Sequence, residues 1–364
     1  MEKPLSGMPF DELAGALSQH PRFRAGQVFG WIAAGVSSFD GMTNLPASMR
    51  RELAAEFLPR PRTEVTRFPA ADGTVKLVIR FADGAQVEAV LLADSSADGE
   101  PRRTACISTQ VGCPARCVFC KTGTLGLIRD LTSAEIVEQM LLLKAEAEEA
   151  GRARCAETAR GHAVSNIVVM GMGEPLLNLA SLRGALSVIG DARGLGFSSR
   201  RVTVSTCGIV AGIKSLADDG PAVRLALSLT AADESLRRRL MPVTAAHPLG
   251  EVKEALRHFQ RSGGGRVTLE AVLLDGINDR DRDAAAIAAF AEGLDATVNL
   301  IPWNPVKGLE FEGTALREPS PRTVAAFAES LKARGLGVTR RFRRGRRVMG
   351  ACGQLGGDPV EKQS

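Results

Sequence analysis

Between residues 105 and 335 short apolar runs alternate with amphipathic stretches, and this alternation constrains the fold more than any other feature. The runs "ACISTQV", "SNIVVM", "RVTVST", "AVRLALSL", "RVTLEAVLL" and "TVNLIP" have the length and Val/Ile/Leu content of buried strands. Between them "SAEIVEQMLLLKAEAEEA", "LASLRGALSVIG", "GEVKEALRHF", "DAAAIAAFAEGL" and "TVAAFAESLKARG" place apolar residues at helical spacing. Thr132 and Glu135 suit a capping box at the start of the first of these helices. Six βα units in about 240 residues predict an α/β protein with a parallel barrel, complete or open.

Other patterns flank this region. Residues 1–60 carry helical periodicity in "FDELAGALSQ", "RAGQVFGWIAAG" and "LPASMRRELAAEF". Residues 61–98 open with the alternating runs "TEVTRF", "TVKLVIRF" and "AQVEAVLL", divided by "ADG" turns, which predict a three-stranded antiparallel meander. "DSSADGEPRR" at 94–103 reads as a polar linker, the barrel as 99–340, and 341–364 as a C-terminal segment. No run approaches the roughly 18 apolar residues of a membrane span. "MEKPLSGMPFDEL" lacks the layout of a signal peptide, so a cytoplasmic location is expected. In that compartment seven cysteines do not read as a disulfide framework.

Three of those cysteines, in "CPARCVFC", stand at C-x₃-C-x₂-C spacing. A structural zinc site needs four ligands, and none of His20, His162, His247 and His258 has zinc-ligand spacing to the triplet. A [4Fe–4S] cluster on Cys113, Cys117 and Cys120 would leave one iron open to an outside ligand. The plainer alternative is a set of buried structural cysteines. "MGMGEP" at 170–175 puts glycines at a strand end and offers Glu174 as partner for an ammonium; the alternative is a tight turn with a solvent-facing acid. "RRFRRGRR" at 340–347 is a solvated basic stretch or a phosphate contact.

The cysteine spacing, with an aromatic before the last cysteine, is similar to the signature of the radical S-adenosylmethionine (SAM) enzymes, and "MGMGEP" resembles their GGEP motif. "FRAGQVFGWI", "CISTQVGCPARCVFCKTGTLGL", "SNIVVMGMGEPLLN", "VTVSTCGIV", "LALSLTAADESLRRRLMPV", "VNLIPWNP" and "ACGQL" then follow in order. Over most of its length the chain resembles the RlmN/Cfr group of RNA adenosine methyltransferases. The resemblance implies a partial (β/α)₆ barrel with an N-terminal helical RNA-binding domain and a small antiparallel β extension. It implies one [4Fe–4S] cluster on Cys113, Cys117 and Cys120, and SAM, two molecules per turnover, against Gly173, Glu174, Ser205, Ser228, Leu229, Thr230 and Asn304. In the same pattern Cys352 carries the methyl group, Cys106 is the resolving thiol that forms a transient disulfide with it, and Glu88 is the proton acceptor. From the residues alone, Ser205 and Ser228 merely end strands, Asn304 sits in a proline-bracketed turn, Cys106 and Cys352 read as small buried residues, and Glu88 as one outward residue of a strand. Cys155 and Cys207 receive no role.

The implied activity is transfer of a methyl group to C2 of an adenosine in 23S rRNA, with tRNA held open as a second substrate. The implied electron donor is a flavodoxin- or ferredoxin-type protein, and nothing in the sequence asks for more than a monomer. A rival is attack at C8 of the same base. Two further readings are a radical SAM enzyme acting on a small molecule or peptide, in which Cys106 and Cys352 would be dispensable, and an iron–sulfur protein that only binds RNA or relays electrons. One stretch departs from the family: "RGRRVMGACGQL" is basic where acidic residues usually precede the methyl-carrying cysteine. Tyrosine is absent, so any stacking on RNA bases falls to Phe, Trp or Arg.

Overall fold

In the computed structural model, which describes residues 3–95, 101–152, 164–340 and 345–357, ten strands form one sheet whose order in space follows their order in the chain. The strands are β1 (Thr63–Pro69), β2 (Val75–Phe81), β3 (Gln86–Ser95), β4 (Pro101–Cys106) and β5 (Asn166–Val169). They continue as β6 (Val202–Thr206), β7 (Arg224–Ser228), β8 (Val267–Leu273), β9 (Ala296–Pro302) and β10 (Gly337–Arg340). β1 to β4 pair antiparallel and β4 to β10 pair parallel. β1 and β10 are the two edges, so the barrel is open. Cys155, His162, Arg341, Arg343 and Arg344 lie outside the described residues.

Two local expectations change, and one strand is added. The stretch 94–103 is not simply a linker: β3 runs to Ser95, β4 begins at Pro101, and Asp94 stands opposite Arg102. Its charges mark solvent-exposed strand ends, not an absence of strand. β4 is therefore both the last antiparallel strand and the first barrel strand, and the meander is continuous with the barrel. "ACISTQV" divides, because β4 ends at Cys106 while Gln110–Gly112 turns away to pair with Leu127–Asp130. "GVTR" becomes β10 on the flank of β9, hidden in the sequence by the arginines that follow it.

The barrel helices are α4 (Ser133–Arg152), α5 (Leu179–Gly190), α6 (Val210–Asp219), α7 (Glu234–Leu240), α8 (Leu249–Phe259), α9 (Asp281–Ala291) and α10 (Pro321–Ala333), numbered after the three N-terminal helices below. α6 and α7 are additions to the sequence reading. The capping box of α4 forms: Thr132 N donates to Glu135 Oε2 (2.8 Å) and Glu135 N to Thr132 Oγ1 (3.2 Å). Glu135 also holds Arg129 (2.8 Å), which reaches Asp83 in the β2–β3 turn (2.7 Å).

The N-terminal helices α1 (Phe10–Ala16), α2 (Arg22–Ala33) and α3 (Ala47–Glu56) bury Leu13, Val28 and Leu53 in a core that continues into the barrel. The backbone of Gly7 packs so closely on α4 that a Cβ there would stand 2.4 Å from Ala134 N. Arg60 grips Glu138 of α4 with two bonds of 2.8 and 2.7 Å. No described helix is long and apolar enough to cross a membrane.

Candidate active site

The three cysteines sit in a loop that backbone hydrogen bonds pin on several sides. Cys113 N donates to Gly126 O (2.8 Å), Cys120 N to Cys117 O (3.1 Å), and Val118 N to Leu240 O at the end of α7 (3.0 Å). Gly112 makes the first contact possible. Its φ is +78°, and a Cβ there would stand 1.9 Å from Gly126 O. Cys113, Cys117 and Cys120 line a cavity of about 150 Å³ together with Gly173, Glu174, Ser205, Ser228, Asn304 and Cys352.

This donor set fits the implied cluster. Burial pushes the Cys113 thiol up to about 12 and raises Cys117 and Cys120 as well; Cys120 raises Cys113 and Cys117 further, and Cys113 raises Cys117. Such a triplet holds its thiolates together only on a metal. Among the described residues no three His, Cys, Asp or Glu side chains converge on one metal ion. Cysteines spread around a cavity suit a cluster, in which each ligates a different iron.

The wall opposite is built by strand ends. Gly173 has φ +103°, and a Cβ there would stand 2.6 Å from Gln110 Cβ, so only glycine lets "MGMGEP" lie against the cysteine hairpin. Glu174 N donates to Gln110 Oε1 (2.8 Å); its carboxylate accepts Leu176 N (3.1 Å) and Cys207 N (2.8 Å). Burial raises the Glu174 carboxyl, against the pull of those hydrogen bonds. A cationic amino group brought into the cavity would offset that burial. Ser205 Oγ lies 3.2 Å from Ser228 Oγ and donates to Glu270 Oε2 (3.0 Å). Leu229 and Thr230 are buried just behind, both donating their N–H to Glu270 O (2.9 Å each). They are not among the lining residues, and Thr230 adopts φ +58°.

Cys352 belongs to two cavities. Besides the cysteine-lined one it lines a second chamber of about 350 Å³ that also holds Cys106, Met170, Ile301 and Asn304. Asn304 Nδ2 donates to Cys352 O (3.0 Å), and Lys121 N, next to Cys120, donates to Gly353 O (2.8 Å). The loop with the expected methyl carrier is thereby fastened to the loop with the expected cluster ligands. A larger hollow of about 820 Å³ on the outer loops contains none of these residues. Two of its arginines face acids: Arg239 stands 2.7 Å from Glu312 and Arg317 3.6 Å from Asp275.

The sequence pattern of the Radical SAM superfamily matches residues 107–288, and that of the Ribosomal RNA large subunit methyltransferase N-terminal domain matches residues 13–58. Curated relatives named "Probable dual-specificity RNA methyltransferase RlmN" include one from Treponema pallidum, 44% identical, with 97% of each chain covered. Another, from Thermus thermophilus, is 41% identical over 97% of this chain and 93% of its own length. A crystal structure of a radical SAM methyltransferase from Sphaerobacter thermophilus superposes with a TM-score of 0.87 at 37% identity, covering 97% of this chain and 99% of that one. The chain belongs to the RlmN family of radical SAM methyltransferases.

One [4Fe–4S] cluster and SAM are the cofactors of such an enzyme. Within this RlmN-family chain, two expectations need restating. Glu88, 4% exposed, lines neither cavity. It accepts Lys76 Nζ (3.1 Å) and Gly356 N (3.1 Å), and so holds the Cys352 loop from behind. The basic stretch is not one continuous solvated run: Arg340 ends β10, and Arg346 pairs with Glu318 at 2.8 Å. Gly345 N also ties this stretch to Asp72 (3.1 Å). Two buried residues went unnoticed in the sequence. Glu270 is the lone acid of an apolar strand, a legible signal. Arg237, indistinguishable within "RRR", donates to Cys207 O (2.7 Å), Ser228 O (3.2 Å), Leu229 O (3.1 Å) and Thr244 Oγ1 (2.6 Å), tying together the ends of β6 and β7.

Proposed function

We propose that the protein transfers a methyl group to C2 of an adenosine in 23S rRNA, and in tRNA as a second substrate. The observation that carries this reading is Cys352, common to the cavity of the cluster cysteines and to the chamber of Cys106. C2 of adenine is an sp² carbon without nucleophilic character, so it cannot attack the electrophilic methyl of SAM directly. A relay thiol that faces both cofactor and base removes this obstacle. Bound SAM and the reduced cluster supply the methyl group and the hydrogen-abstracting power, consuming two SAM per turnover.

The chain's own residues supply the rest. Cys352 Sγ accepts the methyl group and then carries it to the ring as a thioether. Cys106, across the second chamber, takes part in removing the ring proton, and its thiolate then attacks the Cys352 sulfur. The S–C bond breaks with its electron pair left on the carbon, and that carbon takes up a proton to become the product's methyl group, leaving a disulfide that a cellular thiol reduces. Glu88 supports this through its bond to Gly356, and Glu174 receives the SAM amino group. A flavodoxin- or ferredoxin-type protein delivers the electrons, residues 1–60 contact the RNA, and the enzyme acts as a monomer.

The test is nucleoside analysis of unmodified ribosomal RNA and tRNA incubated with cluster-loaded protein, SAM and reductant. 2-Methyladenosine is expected. 8-Methyladenosine would transfer the protein to the rival type, and SAM cleavage with neither product would mean a different substrate.

A further inference from the structure

The second chamber reaches down from Cys352 to the N-terminal halves of the barrel strands, where its walls turn polar. Arg102, Thr104, Asn166, Thr203 and Arg224 all line it. Among the described residues none of their side chains has a hydrogen-bond or ion-pair partner. The register makes the grouping strict. Cys106 stands opposite Val168, Val168 opposite Thr203, and Thr203 opposite Arg224, so one row crosses four strands from the resolving thiol to a guanidinium. One step below, Thr104 stands opposite Asn166. In parallel strands residues in register share a face, and residues two apart share it too, so all of these side chains project into the same lumen. Asp94, cross-strand neighbour of Arg102, is the one acid on the wall.

Half-buried and exposed hydrogen-bonding groups that line one chamber with Cys106 and Cys352, and make no bond among the described residues, are open to a ligand of complementary chemistry. We propose that this row is the recognition face for a single adenosine turned out of its RNA stack. The inference rests on the function proposed above and deepens it. The Asn166 amide pairs two-fold with N6 and N7 of the adenine, the edge across the ring from C2, and so leaves C2 toward Cys106 and Cys352. Thr104 and Thr203 hydroxyls bond the remaining base and ribose groups. Arg102 and Arg224, exposed at the chamber mouth, neutralise the flanking phosphates.

The test uses cluster-loaded full-length protein and an RNA carrying either adenosine or 7-deazaadenosine, which lacks the N7 acceptor, at the target position. Wild type should lose about tenfold or more in kcat/KM on the deaza RNA. Asn166→Ala should show a similar loss on normal RNA and no further loss on the deaza RNA. Arg224→Gln should raise KM for RNA about tenfold at unchanged kcat and make the salt dependence of binding shallower. Thr203→Val, which keeps the strand's shape, should lose severalfold in kcat/KM. Methylation of Cys352 by SAM without RNA, read by mass spectrometry, should match wild type in every variant. An Asn166→Ala enzyme that keeps the wild-type deaza penalty, an Arg224→Gln enzyme with unchanged KM, or a variant that also loses RNA-free Cys352 methylation overturns the assignment. Wild type that forms no methyladenosine overturns both the inference and the function it rests on; wild-type turnover that the substitutions leave untouched overturns the inference alone.

Discussion

Lys76 is fully buried, and its ammonium meets Glu88, itself almost without solvent contact. Burial raises the Glu88 carboxyl while Lys76 and Gly356 N pull it back down. Lys76→Met strands that carboxylate and should cost about 3–5 kcal/mol at pH 7. The sign of its pH dependence follows from the raised carboxyl. A group with a raised folded pKa contributes stability that is fully present below its unfolded pKa, about 4.3, and lost as pH rises through the folded one. Without Lys76 this loss is larger, so the deficit should shrink between pH 7 and pH 5; urea denaturation at both values measures it. Adding Glu88→Gln should recover most of the loss, since no buried charge then remains. At the same scale Cys106→Ala should leave the enzyme covalently joined to RNA, visible as a slow band on a denaturing gel. Free turnover by that variant would remove Cys106 from the release step.

At the scale of elements, the Gln110–Gly112/Leu127–Asp130 hairpin aims the cysteine loop, and it depends on a glycine. Gly112→Ala would drive a Cβ into Gly126 O at a positive φ, so the hairpin must open and Cys113 lose its anchor. The purified variant should hold well under half the iron of wild type after reconstitution, as a colorimetric iron assay per chain would show. These elements were unevenly legible. Strands β5 to β9 stand out as apolar runs because the face under the barrel helices is buried and much of the lumen face is shielded as well. β10, β4's charged start and the small hairpin do not, because at a sheet edge or on a loop only partners distant in the chain make a strand of them. Gly173 and Glu174 were legible as a motif, and Glu270 as the lone acid of an apolar strand; Arg237 and Lys76 acquire meaning only from what they touch.

For the whole molecule, the N-terminal helices and the barrel share one continuous core and should unfold together. Arg60, bound twice to Glu138 and again to Gly35 O, bridges them. Arg60→Ala leaves the 3%-exposed Glu138 carboxylate without its main partner and should cost about 3 kcal/mol. Denaturation followed by Trp fluorescence, from Trp31 in the helices and Trp303 in the barrel, should remain a single transition shifted to lower denaturant. Two separate transitions would show that the two parts fold independently.

The sequence by itself determined the chemistry of the cofactor site and the order of the barrel. A C-x₃-C-x₂-C run and a strand-end acid are local patterns, and the period of apolar residues needs no knowledge of distant neighbours. Only the tertiary structure decided that Cys352, some 230 residues after the cluster loop, lies between two cavities, that Glu88 faces a lysine and a loop instead of the chamber, and that five isolated polar residues on four strands form one wall. Each of those facts depends on strand register and loop closure, which bring together residues that no local pattern links.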